Sequence, residues 1–105
     1  MNFEELKQIP LLQTSSIAEA CQDAETLKYI LACLARYYAG DFGEVCEEDT
    51  LANLEELAEG YGHVLARYKQ AKTLNDEIYI ESHFDKDNLT DINYTNTLIM
   101  YTFER

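Results

Sequence analysis

The residues best placed to do chemistry lie between Asp41 and Glu59. This stretch carries eight acidic side chains, Asp41, Glu44, Glu47, Glu48, Asp49, Glu55, Glu56 and Glu59, and no basic one. Carboxylates at this density suit two tasks. They can ligate a hard cation, which takes oxygen donors, or they can face a basic surface. The cation reading draws on Asp41, Glu44, Glu47, Glu48 and Asp49, but their spacing matches no calcium loop with its required glycine. The surface reading rests on charge density. Glu47, Glu48, Asp49, Glu55, Glu56 and Glu59 fall within thirteen residues. On a helix rising 1.5 Å per residue that is about one charge per 3 Å of axis. One strand of duplex DNA carries a phosphate every ~3.4 Å.

Two glycines, Gly40 and Gly43, bracket Asp41 and Phe42, which marks a tight turn between helices. Asp41 and Phe42 either form a recognition tip or serve the turn itself. In the second case Asp41 accepts backbone N–H groups and Phe42 plugs the core. Asp49 and Asn53 stand four apart and share a helix face, where they either tie the turn together or offer oxygens to a ligand.

Other reactive types are sparse. Cys21, Cys33 and Cys46 form no CxxC pair and no zinc spacing with His63 and His83. They read as small buried hydrophobes in a reducing compartment. The two histidines fall on predicted strands, as general-base or zinc candidates or as ordinary strand residues. No nucleophile elbow, phosphate loop or HExxH is present. The reading is of a protein that is not an enzyme and takes no cofactor.

Charge sets the kind of partner. Twenty acidic and eight basic side chains give a formal charge of −12 over 105 residues. That disfavours direct contact with nucleic acid phosphates, which calls for Lys and Arg, and favours a basic protein partner. Eight Tyr and four Phe supply the apolar area for one core. No apolar run approaches the roughly 20 residues of a membrane span, and no basic segment opens the chain as in a secretory signal. The expectation is a single domain over 1–105, cytoplasmic and not membrane-bound.

The elements that must position these residues follow from periodicity. Phe3 to Lys7 is a short helical turn closed by Pro10. Leu11 to Thr14 reads as a short edge strand, and Thr14–Ser15–Ser16 as the cap of a short helix through Cys21. Asp23 caps the first main helix, whose apolar stripe is Leu27, Ile30, Leu31, Leu34, Ala35 and Tyr38. Gly40 closes it. A second main helix starts within Cys46–Asp49 and ends at Gly60, with Leu51, Leu54, Leu57 and Ala58 as its stripe. Glu55, Glu56 and Glu59 are unfavourable near its C-terminus. From Tyr61 the period becomes two. Strands are predicted around Val64–Tyr68, Ile78–Glu81 and Thr95–Thr102, with polar connections at Ala71–Asn75 and Phe84–Asn93. The predicted fold is α+β: two main helices on a three-stranded antiparallel sheet, helices first and meander last.

From Ala35 to Glu104 the chain resembles a family of short plasmid and prophage proteins with no assigned activity. That family has a Gly-Asp-Trp-Gly turn, then an acidic pair with Asp and, four residues on, Asn. Gly40-Asp41-Phe42-Gly43, Glu47-Glu48-Asp49 and Asn53 carry the match, with Ile78-Tyr79-Ile80 and Thr95-Asn96-Thr97-Leu98-Ile99-Met100 following more loosely. Phe42 replaces Trp, Tyr37 or Tyr38 stands where His is usual before the turn, and the acidic loop lacks the usual Arg. The resemblance implies an origin on a mobile element.

The function expected is an accessory protein whose acidic face binds a basic protein, such as a host nuclease or CRISPR effector, as a nucleic-acid mimic. Its candidate contacts are Asp41, Phe42, Glu44, Glu47, Glu48, Asp49, Glu55, Glu56 and Glu59. The alternatives are a small enzyme or metal-dependent binding protein centred on the Gly40–Asn53 turn, and a structural homo-oligomer, since strand edges need cover.

Overall fold

Alternation of apolar and polar residues places three strands in sequence, and in the computed structural model they pair as expected. The structure describes residues 1–69 and 76–105. β2 (Tyr61–Tyr68), β3 (Ile78–Asp85) and β4 (Asn96–Tyr101) form an antiparallel meander. The sheet has a further member. β1 (Leu11–Gln13) pairs parallel with β4, so the order is β1-β4-β3-β2. The sheet is therefore four-stranded and mixed, not three-stranded and antiparallel, and the order is not helices first. The cause is local: Pro10 halts the first turn, and the extended residues after it reach the open side of β4. The predicted connection Ala71–Asn75 lies outside the described residues.

Four α-helices occur among the described residues: α1 (Phe3–Gln8), α2 (Ser15–Ala20), α3 (Ala24–Tyr38) and α4 (Glu47–Glu59). The first three begin where their cap chemistry dictates, whereas α4 starts after Cys46 without a side-chain cap bond. Asn2 and Glu5 make a reciprocal capping box on α1. Thr14 Oγ1 accepts from Ile17 N, and Asp23 Oδ2 from Thr26 N. α3 closes at Gly40, whose φ is +85°. Gly40 N donates to Tyr37 O and Asp41 N to Arg36 O, the paired bonds of a left-handed helix end.

The core lies between the helices and one face of the sheet. Val64, Ala66, Tyr68, Ile78, Ile80, Phe84 and Ile99 meet Leu6, Ile17, Ile30, Cys33, Tyr37 and Leu57. The helix faces that supply it are rotated from the predicted stripes. α3 buries Thr26, Ile30, Cys33 and Tyr37, while Leu27 and Leu31 are exposed and Leu34 is only partly covered. Hydroxyl partners explain the choice. Tyr37 Oη and Ser82 Oγ lie 2.6 Å apart, as do Ser82 Oγ and Thr97 Oγ1, while Thr26 Oγ1 donates to Asp23. Polar side chains with satisfied bonds can be buried at little cost. α4 is rotated likewise: it buries Asn53 and Leu57, leaving Leu51 and Leu54 55% and 43% exposed. The expectation that Leu31 and Leu54 are core residues is thus corrected.

No helix among the described residues is long and apolar enough to cross a membrane.

Candidate partner-binding face

The turn that carries the first candidates is fixed by its own bonds. The Asp41 carboxylate accepts from Arg36 Nε at 2.7 Å, from Arg36 Nη2 at 3.2 Å and from Gly43 N at 3.0 Å. Those bonds, Arg36 first, hold its carboxyl below the ordinary aspartate value. Tyr68 Oη donates to Asp41 O at 2.7 Å. Asp41 therefore serves the turn while staying exposed. Phe42 is only 3% exposed, with its ring 6.3 Å from Phe3 and 6.0 Å from Tyr37. As a core plug, it offers no surface to a partner.

Beyond Phe42 the chain runs along the outer edge of β2. Arg67 N donates to Phe42 O at 3.1 Å and Glu44 N to Arg67 O at 2.7 Å. The backbones approach so closely at Gly43 that a Cβ there would lie 2.1 Å from Arg67 O. Two residues further along the same edge, Asn53 takes over. Its Nδ2 donates to Leu65 O at 2.9 Å and its Oδ1 accepts from Leu65 N at 3.2 Å. An edge strand presents free N–H and C=O groups, and here a helix side chain occupies one set of them. This fixes the rotation of α4, because the residue at the contact must be an amide rather than a leucine. Asn53 thus bonds β2 rather than the Gly40–Gly43 turn.

With Asn53 and Leu57 inward, the opposite side of α4 is set by the 3.6-residue period. Glu48, Glu55 and Glu59 lie along its outward line. Leu51, Leu54 and Ala58 form the neighbouring line. All six are exposed. Glu47 and Asp49 flank them in the first turn, where negative charge meets the positive end of the helix dipole. Glu56 differs, being half-buried, with its carboxylate over the bare Cα of Gly62. It belongs to the α4–β2 contact. At the C-terminal end, the amino group of Met1 donates to Leu57 O at 2.7 Å, and the Lys86 stem lies against Gly60.

The other face of the sheet carries a second polar group. His63 and His83 are directly opposed across β2 and β3, with ring centroids 5.8 Å apart. Next to them is Glu81, whose side chain is almost wholly buried. Its carboxylate takes Arg105 Nε at 2.9 Å and Nη2 at 3.3 Å, and lies 3.1 Å from His83 Nε2. Burial opposes its ionisation, but Arg105, His83 and His63 together outweigh this and hold the carboxyl below its usual value. The Arg105 guanidinium also sits 5.7 Å from the Tyr79 ring centre. Beside the histidines, a shallow cleft of about 550 Å³ is lined by Tyr61, His63, His83, Asp85, Tyr94 and Asn96. The Glu81–Arg105 pair was not legible in the sequence, since nothing local links residues on β3 and at position 105. The only available signal was an acidic residue inside a strand pattern. Among the described residues, no group of three His, Cys, Asp or Glu is placed to hold a metal ion.

The chain is thus an α+β protein with one sheet edge closed by a loop and a helix, and with an acidic, partly apolar helix face turned to solvent. Comparison with protein-family models, curated proteins and solved structures returns no match.

Proposed function

We propose that the chain is a non-enzymatic accessory protein of a mobile genetic element, and that α4 docks it on a basic protein surface as a nucleic-acid mimic acting against host defence. One observation carries this reading. α4 spends its polar Asn53 on the sheet and turns Leu51 and Leu54 outward, beside a line of carboxylates. Exposed leucines in a charged surround are what an interface core with a polar rim looks like before it is covered. The formal charge of −12 supplies long-range attraction to a basic groove. Glu47, Glu48, Asp49, Glu55 and Glu59 supply the charge spacing, Leu51 and Leu54 the apolar contact.

The test is affinity for a partner captured from host lysate, measured for three proteins at two salt concentrations. Wild type should bind and weaken steeply with salt, since exposed charges are screened beyond about 8 Å at physiological ionic strength. Glu48→Lys/Glu55→Lys/Glu59→Lys should abolish binding, and Leu51→Ser/Leu54→Ser should weaken it without changing its salt slope. Duplex DNA should compete with wild type for the partner. Equal affinity for all three proteins at both salts would overturn the reading.

A further inference from the structure

We infer that β1 is a self-association edge, through which two copies of this chain join antiparallel, β1 to β1, into one continuous sheet. The argument begins with which backbone groups are free. Pro10 O accepts from Thr97 N at 2.8 Å and Thr14 N donates to Ile99 O at 3.1 Å. The even-numbered residues of this segment therefore bond β4, and Leu11 and Gln13 direct their N–H and C=O groups the other way. All three strand residues are exposed, Leu11 at 47% and Leu12 at 37%. The opposite edge of the sheet is not available, since Phe42, Glu44 and Asn53 cover β2. Among the described residues one edge is thus protected and the other bare, a condition under which strands seek a partner.

The occupant is argued from charge and register. The molecule carries a formal charge of −12, yet Gln8 to Ala18 contain no charged residue. A second copy repels this chain almost everywhere else, but the residues of β1 and its flanks carry no charge of their own. The uncharged edge also lacks the lysines that natural sheets place on bare strands to prevent pairing. Antiparallel pairing about Leu12 sets Leu11 opposite Gln13 of the second copy, each exchanging both main-chain bonds. Leu12 then faces Leu12 of the second copy as a close cross-strand pair, about 4.5–5.5 Å between Cβ atoms. Leu12 shares its face with Leu98 of β4, its register partner. The two-fold therefore joins an apolar row, Leu98–Leu12 from one copy and Leu12–Leu98 from the other. This arrangement is isologous and closed, so it yields dimers and not fibres.

This inference is independent of the α4 reading, and salt separates the two. Binding to a basic partner weakens with salt, whereas association of two acidic copies strengthens as their repulsion is screened. Sedimentation velocity over rising protein concentration, at low and high salt, provides the test. Wild type should show a reversible monomer–dimer equilibrium that salt shifts toward dimer. Leu12→Lys opposes like charges across the two-fold and should weaken dimerisation by at least about tenfold. Gln13→Pro removes an outward N–H that no bond among the described residues uses, so the fold should persist while dimerisation weakens similarly. Circular dichroism melts identify a variant that has unfolded, in which case the other decides. A wild type still monomeric at roughly millimolar concentration, where even a small interface should populate, would overturn the inference and leave this edge to a strand of a different protein. So would a dimer retained by the folded variants.

Discussion

The side-chain amide of Asn53 is matched to the main chain of Leu65, donating to its carbonyl and accepting from its N–H at 2.9 and 3.2 Å. Hydropathy would favour a leucine at this position on α4, but the structure requires the amide. Asn53→Leu should therefore destabilise the protein, by about 2–3 kcal/mol, because two bonds are lost and the Leu65 groups stay covered without partners. A melting temperature lower by about 10–20 °C is the expected reading.

Leu54 and Leu57 are three residues apart and should behave as opposites. Leu57 is 4% exposed within the core cluster, so Leu57→Ala should cost about 2–5 kcal/mol. Leu54 faces solvent, and Leu54→Ala should change stability by about 0.5 kcal/mol or less. Urea denaturation of both variants checks the rotation of α4 directly. Equal costs would place both leucines in the core.

Gly43 should tolerate no side chain. Its φ is +72°, and an added Cβ would meet the Arg67 carbonyl oxygen and the Tyr68 ring. Gly43→Ala should separate the Phe42–Glu44 segment from β2 and cost at least about 2 kcal/mol, combining left-handed strain with the steric contact. Hydrogen exchange at Glu44 N and Arg67 N should quicken in the variant.

Acid should weaken the fold through carboxyls held below their ordinary values, Asp41 and Glu81 among them. Asp41 and Glu81 both titrate below their ordinary values in the folded chain, so the unfolded state binds more protons as pH falls. The stability they contribute is full above the unfolded carboxyl range and is lost as pH drops through the lowered folded values. Stability measured from about pH 6 to about pH 3 should fall along this limb. Glu81→Gln should flatten the limb, and Arg105→Met should do so too by removing the largest of the groups that together outweigh burial. An unchanged slope in both would assign acid sensitivity to other groups.

Local chemistry made much of the fold readable. Asp23, Gly40 and Gly60 bound their helices because caps and left-handed ends are settled by nearby atoms, and the meander followed from alternation at Val64, Ala66, Ile78 and Ile80. What could not be read was the facing of the helices. Tyr37 is buried because Ser82, forty-five residues on, meets its hydroxyl, and Asn53 because Leu65 has an edge to cover. β1 was legible as a short edge strand, but its place in the sheet was not, because its parallel partner β4 is the last strand. Of the candidate site, the acidic positions were legible by count, whereas the exposure of Leu51 and Leu54 depends on where Asn53 points. Phe42 was open to a tip or a plug in the sequence, and its neighbours Phe3 and Tyr37 make it a plug.

The pairing of β1 with β4 has a consequence for how the chain is made. Leu11 must find Thr97, and Thr14 bonds Glu104 across a sequence separation of 90. During synthesis the early strand emerges long before its mate exists. The α3–α4–β2 portion can organise from contacts nearer in sequence, but the sheet gains β1 only after β4 has left the ribosome. Loop closure over that span slows such pairings. Docking of β1 is therefore expected among the last folding events, and until then the apolar side of β4 stands open to chaperones.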